Sequence, residues 1–548
     1  MEDFIFGTLS TDALKVIYHR ATHSGLRHAF QTIPRDPKPG QPVKIVVETG
    51  PDVFIDEIAC YFSTNGEDPA GSRGKSETSE VIFLKKVQVK WDSLKWGYCQ
   101  RWEGIIPGLP LGTQVRYKIS GWRGNSEEIL ADWPNAKETV EEAAKYYFKH
   151  KAVPKIKFEG DPGKGNIFSY YVDNLKPPNW AKEAVFYHIF VDRFFPGNEQ
   201  DWIQVKDLKK QFGGTLWGVR DKLEYIKNLG ANAIWLSPIF PSPSIHRYDA
   251  TDYKHVADEL GGDEALTVLI REAHDNGIRV ILDLVCNHIS NQHPKFIDAR
   301  SNPKSPYRNW FTFDHKDKIG YRTYFGVHSM PRVNLNNPNA RAWMLGIAQY
   351  WLENYKVDGF RLDHANGPDP EFWGEFWQTC KAIRPESFYI GEVVEPPDVM
   401  AQYEGRMDGL LDFQLCDTIR RAVNSNDWSE EHLIHFCKDH EGFFQKEFLL
   451  ATFLDNHDMN RFLFTVNNDI NKLKAAAKLQ FNLPGPPIIY YGTEIGIRQA
   501  ISNSSKVGLE ASRGRMVWGK EQDQDLLEFY RNLISERKKR KPWESRLT

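Results

Sequence analysis

The feature of this sequence that most restricts its fold is an alternation of short apolar runs with helical periods over residues 183–540. Eight runs have the length and the β-branched or aromatic content of buried strands. Strands that alternate with helices in this number predict an α/β fold, the (β/α)8 TIM barrel. The strand candidates are Ala184–Phe190, Ala233–Ser237, Arg279–Val285, Gly359–Asp363, Ser387–Val393, Gly409–Phe413, Leu449–Asp455 and Pro487–Tyr491. The clearest helical periods are Leu216–Leu229, Asp263–Asn276, Ala340–Tyr355, Pro370–Ile383, Asn471–Phe481 and Asp523–Lys538.

An open, doubly wound sheet is the alternative α/β fold. Against it, Gly213-Gly214 opens a helix without the third glycine of a dinucleotide-binding turn. The connection after the third strand, from Asn287 to Asn339, contains five prolines and no helical period. Because loops of this length are usually functional, we expect an inserted loop domain at residues 289–338 over the C-terminal face of the barrel.

The residues before the barrel follow another pattern. Residues 1–172 contain short β-branched or aromatic runs separated by turn residues, which predicts an N-terminal all-β sandwich. Residues 173–182 include Pro177-Pro178 and predict a stiff linker. Few residues follow the last helical period, so we expect no C-terminal β-domain. The clearest runs before the barrel are Val43–Glu48, Ile55–Phe62, Val81–Leu84 and Val115–Ile119.

Composition excludes some classes of partner and suggests a compartment. A formal charge of −3 over 548 residues, with no basic block, gives no reason to expect nucleic acid. No apolar run has the length of a membrane-spanning helix, and the residues after Met1 lack the pattern of a signal peptide. The six cysteines are scattered and contain no C-x-x-C pair, which favours a reducing cytoplasm. A Cys60–Cys99 bridge, or secretion after removal of a leader, is the alternative.

Arg361 and Asp363 stand two residues apart on the fourth strand candidate. Side chains at this spacing share one face of a strand. We expect Arg361 to lower the pKa of Asp363 and keep it ionised, as a carboxylate nucleophile requires. A structural ion pair at a strand end would explain the same two residues.

Polar residues follow most of the other strand candidates as well. In barrels of this type the reacting groups lie at the C-terminal strand ends. A helix cap or a turn could explain any one of these polar groups, but caps and turns do not readily explain polar groups at most of the strand ends. Several carboxylates with histidines and an arginine, and without a phosphate-binding loop, indicate acid–base chemistry on a polyhydroxy substrate. The groups are Tyr248, Asp249 and Asp252, then Asp283–His288, then Glu392, and then Asp455–Asp458.

These strand ends carry a family resemblance. Four of them resemble the signatures of the α-amylase superfamily of glycoside hydrolases, in the same order along the chain. A fifth motif is similar to the Met-Pro-Lys-Leu-Asn of the cyclomaltodextrinase, neopullulanase and maltogenic amylase subgroup. The matching segments are Asp283–His288, Gly359–Asp363, Gly391–Val393, Phe453–Asp458 and, for the fifth, Met330–Asn334.

The resemblance implies roles for individual residues. Asp363 would be the nucleophile, Glu392 the general acid and base, and Asp458 the third catalytic carboxylate, which grips sugar hydroxyls. The chemistry would need no cofactor. Asn287 resembles a calcium ligand of the family, although the long loop lacks a dense carboxylate set for calcium. The substrate-binding residues would be Tyr248, His288, Arg361, His457, Asn366 and His364.

The implied activity is that of a retaining hydrolase of α-1,4-glucosidic bonds in cyclodextrins, maltooligosaccharides or related α-glucans. A starch-acting α-amylase, a glucan transglycosylase and a non-catalytic glucan-binding protein are the alternatives. The sequence departs from the subgroup at His364 and Gly367, where the subgroup has valine and glutamate. The N-terminal domain would form a homodimer, bind glucan or only support folding.

Overall fold

The computed structural model describes residues 12–132, 140, 143, 146–147, 150, 166–314, 318–424 and 429–544. They form two compact units. One contains residues 176–393 and 406–544, and the other contains the described residues up to 175 together with residues 394–405. The start of the chain, on which the expectation about a signal peptide rests, lies outside the described residues.

The N-terminal unit is an antiparallel β-domain of nine strands, in the order β1-β3-β6-β5-β4-β7-β8, with β2 beside β3 and β9 beside β7. The long strand β5 joins two halves, because Glu80–Leu84 pair with β4 and Lys85–Asp92 pair with β6. The predicted all-β character is confirmed. The strands are β1 Leu26–Arg27, β2 Thr32–Ile33, β3 Val43–Thr49, β4 Glu57–Ser63, β5 Glu80–Asp92, β6 Gly97–Ile106, β7 Gln114–Trp122, β8 Ile129–Leu130 and β9 Phe168–Tyr171.

Alternating side chains of both halves of this sheet form one apolar core. Ile45 of β3, Ile58 of β4 and Tyr117 of β7 are fully buried in it. Burial of each such side chain stabilises the fold by about 1.5–3 kcal/mol. The helix Asp12–Thr22, the helix Pro397–Met400 and the 3-10 turn Ala401–Tyr403 belong to the same unit.

The second unit is a closed barrel of eight parallel strands, β10 to β17, paired in chain order. All eight predicted strands are present, which confirms the barrel and excludes the open sheet. The strands are β10 Phe186–Ile189, β11 Ala233–Leu236, β12 Arg279–Val285, β13 Gly359–Asp363, β14 Phe388–Gly391, β15 Gly409–Leu411, β16 Leu449–Phe453 and β17 Pro487–Tyr490.

Helices connect these strands. All six predicted helical periods are helical, but Leu216–Leu229 is interrupted at Lys222. The helices are Asn179–Glu183, Val191–Phe194, Leu216–Asp221, Leu223–Leu229, Gly262–Asp275, Pro294–Ser301, Pro338–Asn354, Pro370–Ile383, Phe413–Asn424, Glu430–Phe443, Phe462–Thr465, Ile470–Asn482 and Gln524–Arg540. Short 3-10 turns lie at Asp258–Leu260, Arg308–Trp310, Thr493–Ile495, Gly508–Ser512, Gly519–Glu521 and Pro542–Glu544.

The expectation that the loop after the third barrel strand contains no helix is wrong. Pro294–Ser301 is an α-helix, and the His293 side chain accepts a hydrogen bond from the Lys295 backbone N–H at its start. Proline suits the first turn of a helix, where its missing N–H costs nothing. The periodicity is weak because only Phe296 and Ala299 of this helix are buried.

The register of the central strands brings the polar strand ends together. Asp283 pairs with Arg361, Val285 with Asp363, and Leu362 with Gly391. On β13, Arg361 and Asp363 therefore share one face while Phe360 and Leu362 occupy the other. Gly359 begins β13 with φ of 144°, and a Cβ there would lie 1.8 Å from the Phe388 carbonyl oxygen. Only glycine allows this close approach of β14.

Two composition-based expectations can be compared with the structure. All six cysteines are buried free thiols, so the alternative Cys60–Cys99 bridge is not formed. Within the described parts of the chain, no helix has both the length and the apolar character required to cross a bilayer.

Candidate active site

Arg361 is the centre of the polar cluster inside the barrel. Its guanidinium is fully buried. Nη1 donates to Oδ1 of Asp283 at 2.8 Å and to Oδ1 of Asp363 at 2.7 Å. Nη2 lies 2.9 Å from Oε2 of Glu392. One guanidinium therefore contacts three carboxylates from three adjacent strands, and we call these four residues the Arg361 cluster.

Glu392 follows directly after β14 and lies beside the end of β13. Its backbone N–H donates to the Leu362 carbonyl, and its Oε2 accepts a hydrogen bond from the His364 backbone N–H at 2.9 Å. The Glu392 side chain is 14% exposed, whereas that of Asp363 is 9% exposed. The two carboxylates proposed to react are thus held by the same arginine, and both reach the open end of the barrel.

The structure corrects the expected ionisation of Asp363. Burial raises its pKa well above the usual range; Arg361 lowers it, but the carboxylates Glu392, Asp283 and Asp458 raise it further. Burial likewise raises the pKa of Asp283. The expectation of a lowered pKa for Asp363 is wrong in its net direction, because spacing along a strand reveals the arginine but not the desolvation.

Asp458 lies in different electrostatic surroundings. Its Oδ2 lies 2.8 Å from Nε2 of His457, and its Oδ1 accepts a hydrogen bond from Nη2 of Arg513 at 3.0 Å. Burial opposes ionisation of Asp458, but His457, Arg513 and Arg361 together hold its pKa well below the usual range. We call Asp458, His457 and Arg513 the Asp458 cluster.

Tyr248 connects the two clusters. Its hydroxyl donates to Oδ2 of Asp283 at 3.0 Å and lies 2.5 Å from Nε2 of His457. The ring is parallel to that of His457, with centroids 5.3 Å apart. Tyr248 is 8% exposed. The predicted proximity of Tyr248, Arg361 and His457 is therefore observed.

His288 and His364 lie on the other side of the Arg361 cluster. The His288 ring stacks on Tyr324 with centroids 4.7 Å apart, and the same tyrosine meets His364 edge to face at 4.9 Å. Nε2 of His288 is buried and has no hydrogen-bond partner among the described residues. Burial and nearby His246 lower the pKa of His288 to about 3, so its ring is neutral. Asn366 is half-buried in the same loop as His364.

The surroundings of Asn287 do not fit a calcium ion. A Cβ at Gly367 would lie 2.2 Å from Oδ1 of Asn287, and Nη2 of Arg332 donates to the Gly367 carbonyl at 3.1 Å. A guanidinium thus holds the carbonyl of the glycine that packs against Asn287, an oxygen that calcium could otherwise use. In the described part of the chain, no set of three carboxylate, imidazole or thiolate donors is gathered at Asn287.

The sequence did not single out three residues of the site. Arg513 comes from the loop after β17, Trp235 donates to Asp283 at 3.1 Å, and His188 stacks on Trp235 with centroids 3.5 Å apart. His188 and Trp235 lie on β10 and β11, so a list of every polar or aromatic residue on the barrel strands would have included them. No local pattern marks Arg513.

The barrel and these two clusters define a class of protein, the (β/α)8 barrels whose C-terminal strand ends gather several carboxylates for acid–base chemistry. Comparison with known protein families identifies the family within this class. The family described as Alpha amylase, catalytic domain, matches residues 188–546, and the chain belongs to this alpha-amylase family.

Individual relatives agree with this assignment. The chain is 41% identical over 377 residues to Alpha-amylase 2 of Dictyoglomus thermophilum, a match that covers 68% of this chain and 66% of the relative. It is 33% identical over 390 residues to the Intracellular maltogenic amylase of Bacillus subtilis, a match that covers 68% of this chain and 64% of the relative. The chain thus spans just under two thirds of these curated relatives. A solved structure named Cyclomaltodextrinase matches with a TM-score of 0.63 at 25% identity, over 94% of this chain and 84% of that one.

Proposed function

We propose that this protein is a retaining α-glucan hydrolase that cleaves α-1,4-glucosidic bonds in cyclodextrins, maltooligosaccharides or related α-glucans. The observation that carries the proposal is the contact of one guanidinium, that of Arg361, with both Asp363 and Glu392. A retaining mechanism needs two carboxyl groups side by side, one as nucleophile and one as acid and base.

In the first half of the reaction, Asp363 attacks the anomeric carbon of the sugar. The bond from C1 to the glycosidic oxygen breaks, and Glu392 gives its proton to that oxygen as the leaving sugar departs. A covalent ester between Asp363 and C1 results. In the second half, Glu392 takes a proton from water, the water oxygen bonds to C1, and the ester bond to Asp363 breaks.

This sequence of steps requires one proton shared within the Arg361 cluster. Burial raises the pKa of Asp363 and Arg361 lowers it, while repulsion by Glu392, Asp283 and Asp458 raises it further. Such groups titrate together. The mechanism requires Glu392 to supply the proton for the glycosidic oxygen while Arg361 orients Asp363 for attack.

The remaining site residues would hold the sugar. Asp458, kept ionised by Arg513 and His457, would accept hydrogen bonds from hydroxyl groups. The buried Nε2 of His288 would donate to a hydroxyl, which would give this atom the partner that it lacks. The Tyr248 ring would stack on the sugar at the cleavage point. Arg361 would orient Asp363, and His457, His364 and Asn366 would contact neighbouring hydroxyls.

No cofactor takes part in these steps. The two carboxyl groups supply the nucleophile and the proton, and the poor fit of calcium at Asn287 gives no reason to assign a metal ion to the reaction. Dialysis against EDTA should therefore leave the hydrolysis rate unchanged.

Product analysis on β-cyclodextrin, maltotriose, pullulan and starch tests the proposal. We expect cyclodextrin and maltooligosaccharides to be cleaved faster than starch, with maltose and glucose as products. Faster cleavage of starch would favour a starch-acting α-amylase, and products longer than the substrate would favour a transglycosylase. Binding without turnover by the folded protein would leave a glucan-binding protein and overturn the hydrolase.

For the N-terminal unit we propose a homodimer in the cytoplasm. Strands β5 and β6 carry apolar side chains that are more than two-fifths exposed, namely Val87, Val89, Trp91, Tyr98 and Ile105. Trp91 pairs with Tyr98, so Val89, Trp91 and Tyr98 lie on one face of the two strands, and an exposed apolar face usually meets a partner. Six free thiols, and the similarity to a relative named Intracellular maltogenic amylase, support a cytoplasmic location. Light scattering should give twice the chain mass, and Val89→Asp should give the monomer. A monomeric wild type would contradict the dimer. If the wild type is monomeric and Trp91→Ala loses glucan binding, this face binds glucan instead.

A further inference from the structure

The N-terminal unit gathers three metal-ligand side chains far along the chain from the carboxylates described above. His19 and His23 lie four residues apart on the helix Asp12–Thr22 and the residue just after it, and Asp92 ends β5. Residues at this spacing share one face of a helix. One donor atom from each of the three lies within 4.8 Å of the others, the one such group found among the described residues.

The hydrogen bonds of His23 fix which ring nitrogen can bind a metal. Nδ1 lies 3.0 Å from the His19 carbonyl oxygen, which can only accept. It also lies 3.1 Å from Oγ1 of Thr22, whose own proton goes to the Tyr18 carbonyl at 2.9 Å. Nδ1 therefore carries the proton of the neutral ring, and the lone pair is on Nε2. A histidine ligand is held by an acceptor at its other nitrogen in this way.

Asp92 is oriented in the same manner. Its Oδ1 accepts hydrogen bonds from the backbone N–H groups of Leu94 and Lys95, each at 2.9 Å. Its Oδ2 lies 2.7 Å from Nε2 of His19. Although burial opposes ionisation, the backbone donors and His19 lower the pKa of Asp92, so it offers an anionic oxygen. The ammonium group of Lys95 is directed to Ser24 and Asp52.

Burial and ring packing further restrict the three side chains. The rings of His19 and His23 stack with centroids 4.0 Å apart, so one ring must turn before the in-plane lone pairs of both can face one ion. The Asp92 side chain is 8% exposed, and that of His19 is 29% exposed, so an ion could enter from solvent at the histidine side.

We propose that Nε2 of His19, Nε2 of His23 and Oδ2 of Asp92 bind a zinc ion, with water as the fourth ligand. Two imidazoles and a carboxylate suit zinc, whereas calcium and magnesium prefer oxygen alone. Tetrahedral zinc with bonds of about 2.0–2.1 Å requires ligand atoms about 3.3 Å apart. The 2.7 Å contact between His19 and Asp92 must then open by roughly 0.6 Å, a rotamer-scale adjustment.

Zinc at this position would connect the N-terminal helix to the end of β5. Without the ion, the hydrogen bond from His19 to Asp92 makes the same connection more weakly. Since the donors come only from the N-terminal unit, we expect zinc to raise the melting temperature and to leave the hydrolysis of β-cyclodextrin unchanged.

Isothermal titration of the EDTA-stripped protein with zinc chloride at pH 7.5 tests the proposal. We expect one equivalent to bind, and His23→Ala and Asp92→Asn each to weaken binding at least tenfold. A matched control is His435→Ala, because His435 forms a similar i,i+4 pair with Asp439 but is 76% exposed. It should bind zinc as the wild type does.

Cobalt supplies a second readout that does not depend on stability. Tetrahedral cobalt in the wild type should give visible absorption that is absent in His23→Ala, with circular dichroism showing that the variant is folded. The site would be overturned if zinc did not bind stoichiometrically, or if His23→Ala and Asp92→Asn both bound zinc with wild-type affinity. The hydrogen bond of His19 with Asp92 would then fully explain why these side chains lie together.

Discussion

Asp363 and Asp458 are both aspartates at the C-terminal ends of barrel strands, yet their surroundings move their pKa values in opposite directions. In the Arg361 cluster, one guanidinium faces three carboxylates, and burial raises the pKa of Asp363. In the Asp458 cluster, one carboxylate faces Arg513 and His457, which overcome burial and lower its pKa.

Burial opposes ionisation of both aspartates, so the balance of cations and carboxylates around each one decides the direction of its pKa shift. Where carboxylates outnumber cations, a proton is retained and can be transferred, as the general acid Glu392 requires. Where cations and donors outnumber carboxylates, the carboxylate stays charged and can bind hydroxyl groups at any working pH. Tyr248 contacts Asp283 and His457 and therefore joins the two environments.

Removal of either reacting carboxylate is the most severe test of this contrast. Asp363→Asn and Glu392→Gln should each lower kcat by about 10³-fold or more, because both halves of the reaction need the pair. The measurement is turnover of β-cyclodextrin. Asp207→Asn, an exposed aspartate outside both clusters, is the control and should keep wild-type activity. Near-full activity of either active-site variant would refute the assigned roles.

Loss of the shared cation should damage stability as well as activity. Arg361→Met leaves three buried carboxylates without a counter-ion, and breaking a buried ion pair costs about 3–5 kcal/mol. We expect a marked fall in melting temperature, partly restored by adding Asp283→Asn, which removes one of the uncompensated charges. If the double variant is no more stable than Arg361→Met, charge imbalance is not the cause.

Arg513→Met changes the Asp458 cluster alone. Since Arg513 helps to hold the pKa of Asp458 low, its removal should raise that pKa. Asp458 would then be protonated at higher pH, so the acid limb of the kcat/KM profile should move to higher pH and kcat/KM should fall about tenfold. Arg515→Met, two residues away beside Trp202, should leave the profile unchanged. An unshifted acid limb in Arg513→Met would mean that Arg513 does not control Asp458.

The last prediction concerns the pH dependence of stability at His288. Its pKa is about 3 in the folded state against 6.5 for an ordinary histidine. Between these values the unfolded chain binds the proton more tightly, so the unfolding free energy falls as pH decreases. This group should remove about 2 kcal/mol between pH 8 and pH 5. Urea unfolding of His288→Gln should show a correspondingly smaller loss, and an unchanged pH dependence would contradict a neutral buried ring.

Much of the barrel could be predicted because its determinants are local. Apolar runs specify the eight strands, and Asp363, Glu392 and Asp458 lie at or shortly after strand ends, which made them candidates; their separate roles were implied by the family resemblance. The helix Pro294–Ser301 was not predicted, because it buries only two side chains and its apolar residues show almost no helical periodicity.

Features that depend on the assembled interior could not be predicted. Desolvation of Asp363 arises from neighbours on several strands, and Arg513 reaches Asp458 from 55 residues further along the chain. Gly367 is the intermediate case. Its departure from the subgroup was visible in the sequence, but its reason, the close approach to Asn287, appears only in the structure.

The central claim is that Asp363 forms the covalent bond to C1 of the sugar, while Glu392 donates and accepts the proton. Its most direct test is peptide mass spectrometry of Glu392→Gln after incubation with α-maltosyl fluoride. Fluoride leaves without a proton from Glu392, so the first step proceeds, whereas the second lacks its base and the ester accumulates. We predict a maltosyl adduct on the peptide that contains Asp363. An adduct on Asp458, or release of β-maltose without any adduct, would contradict the account.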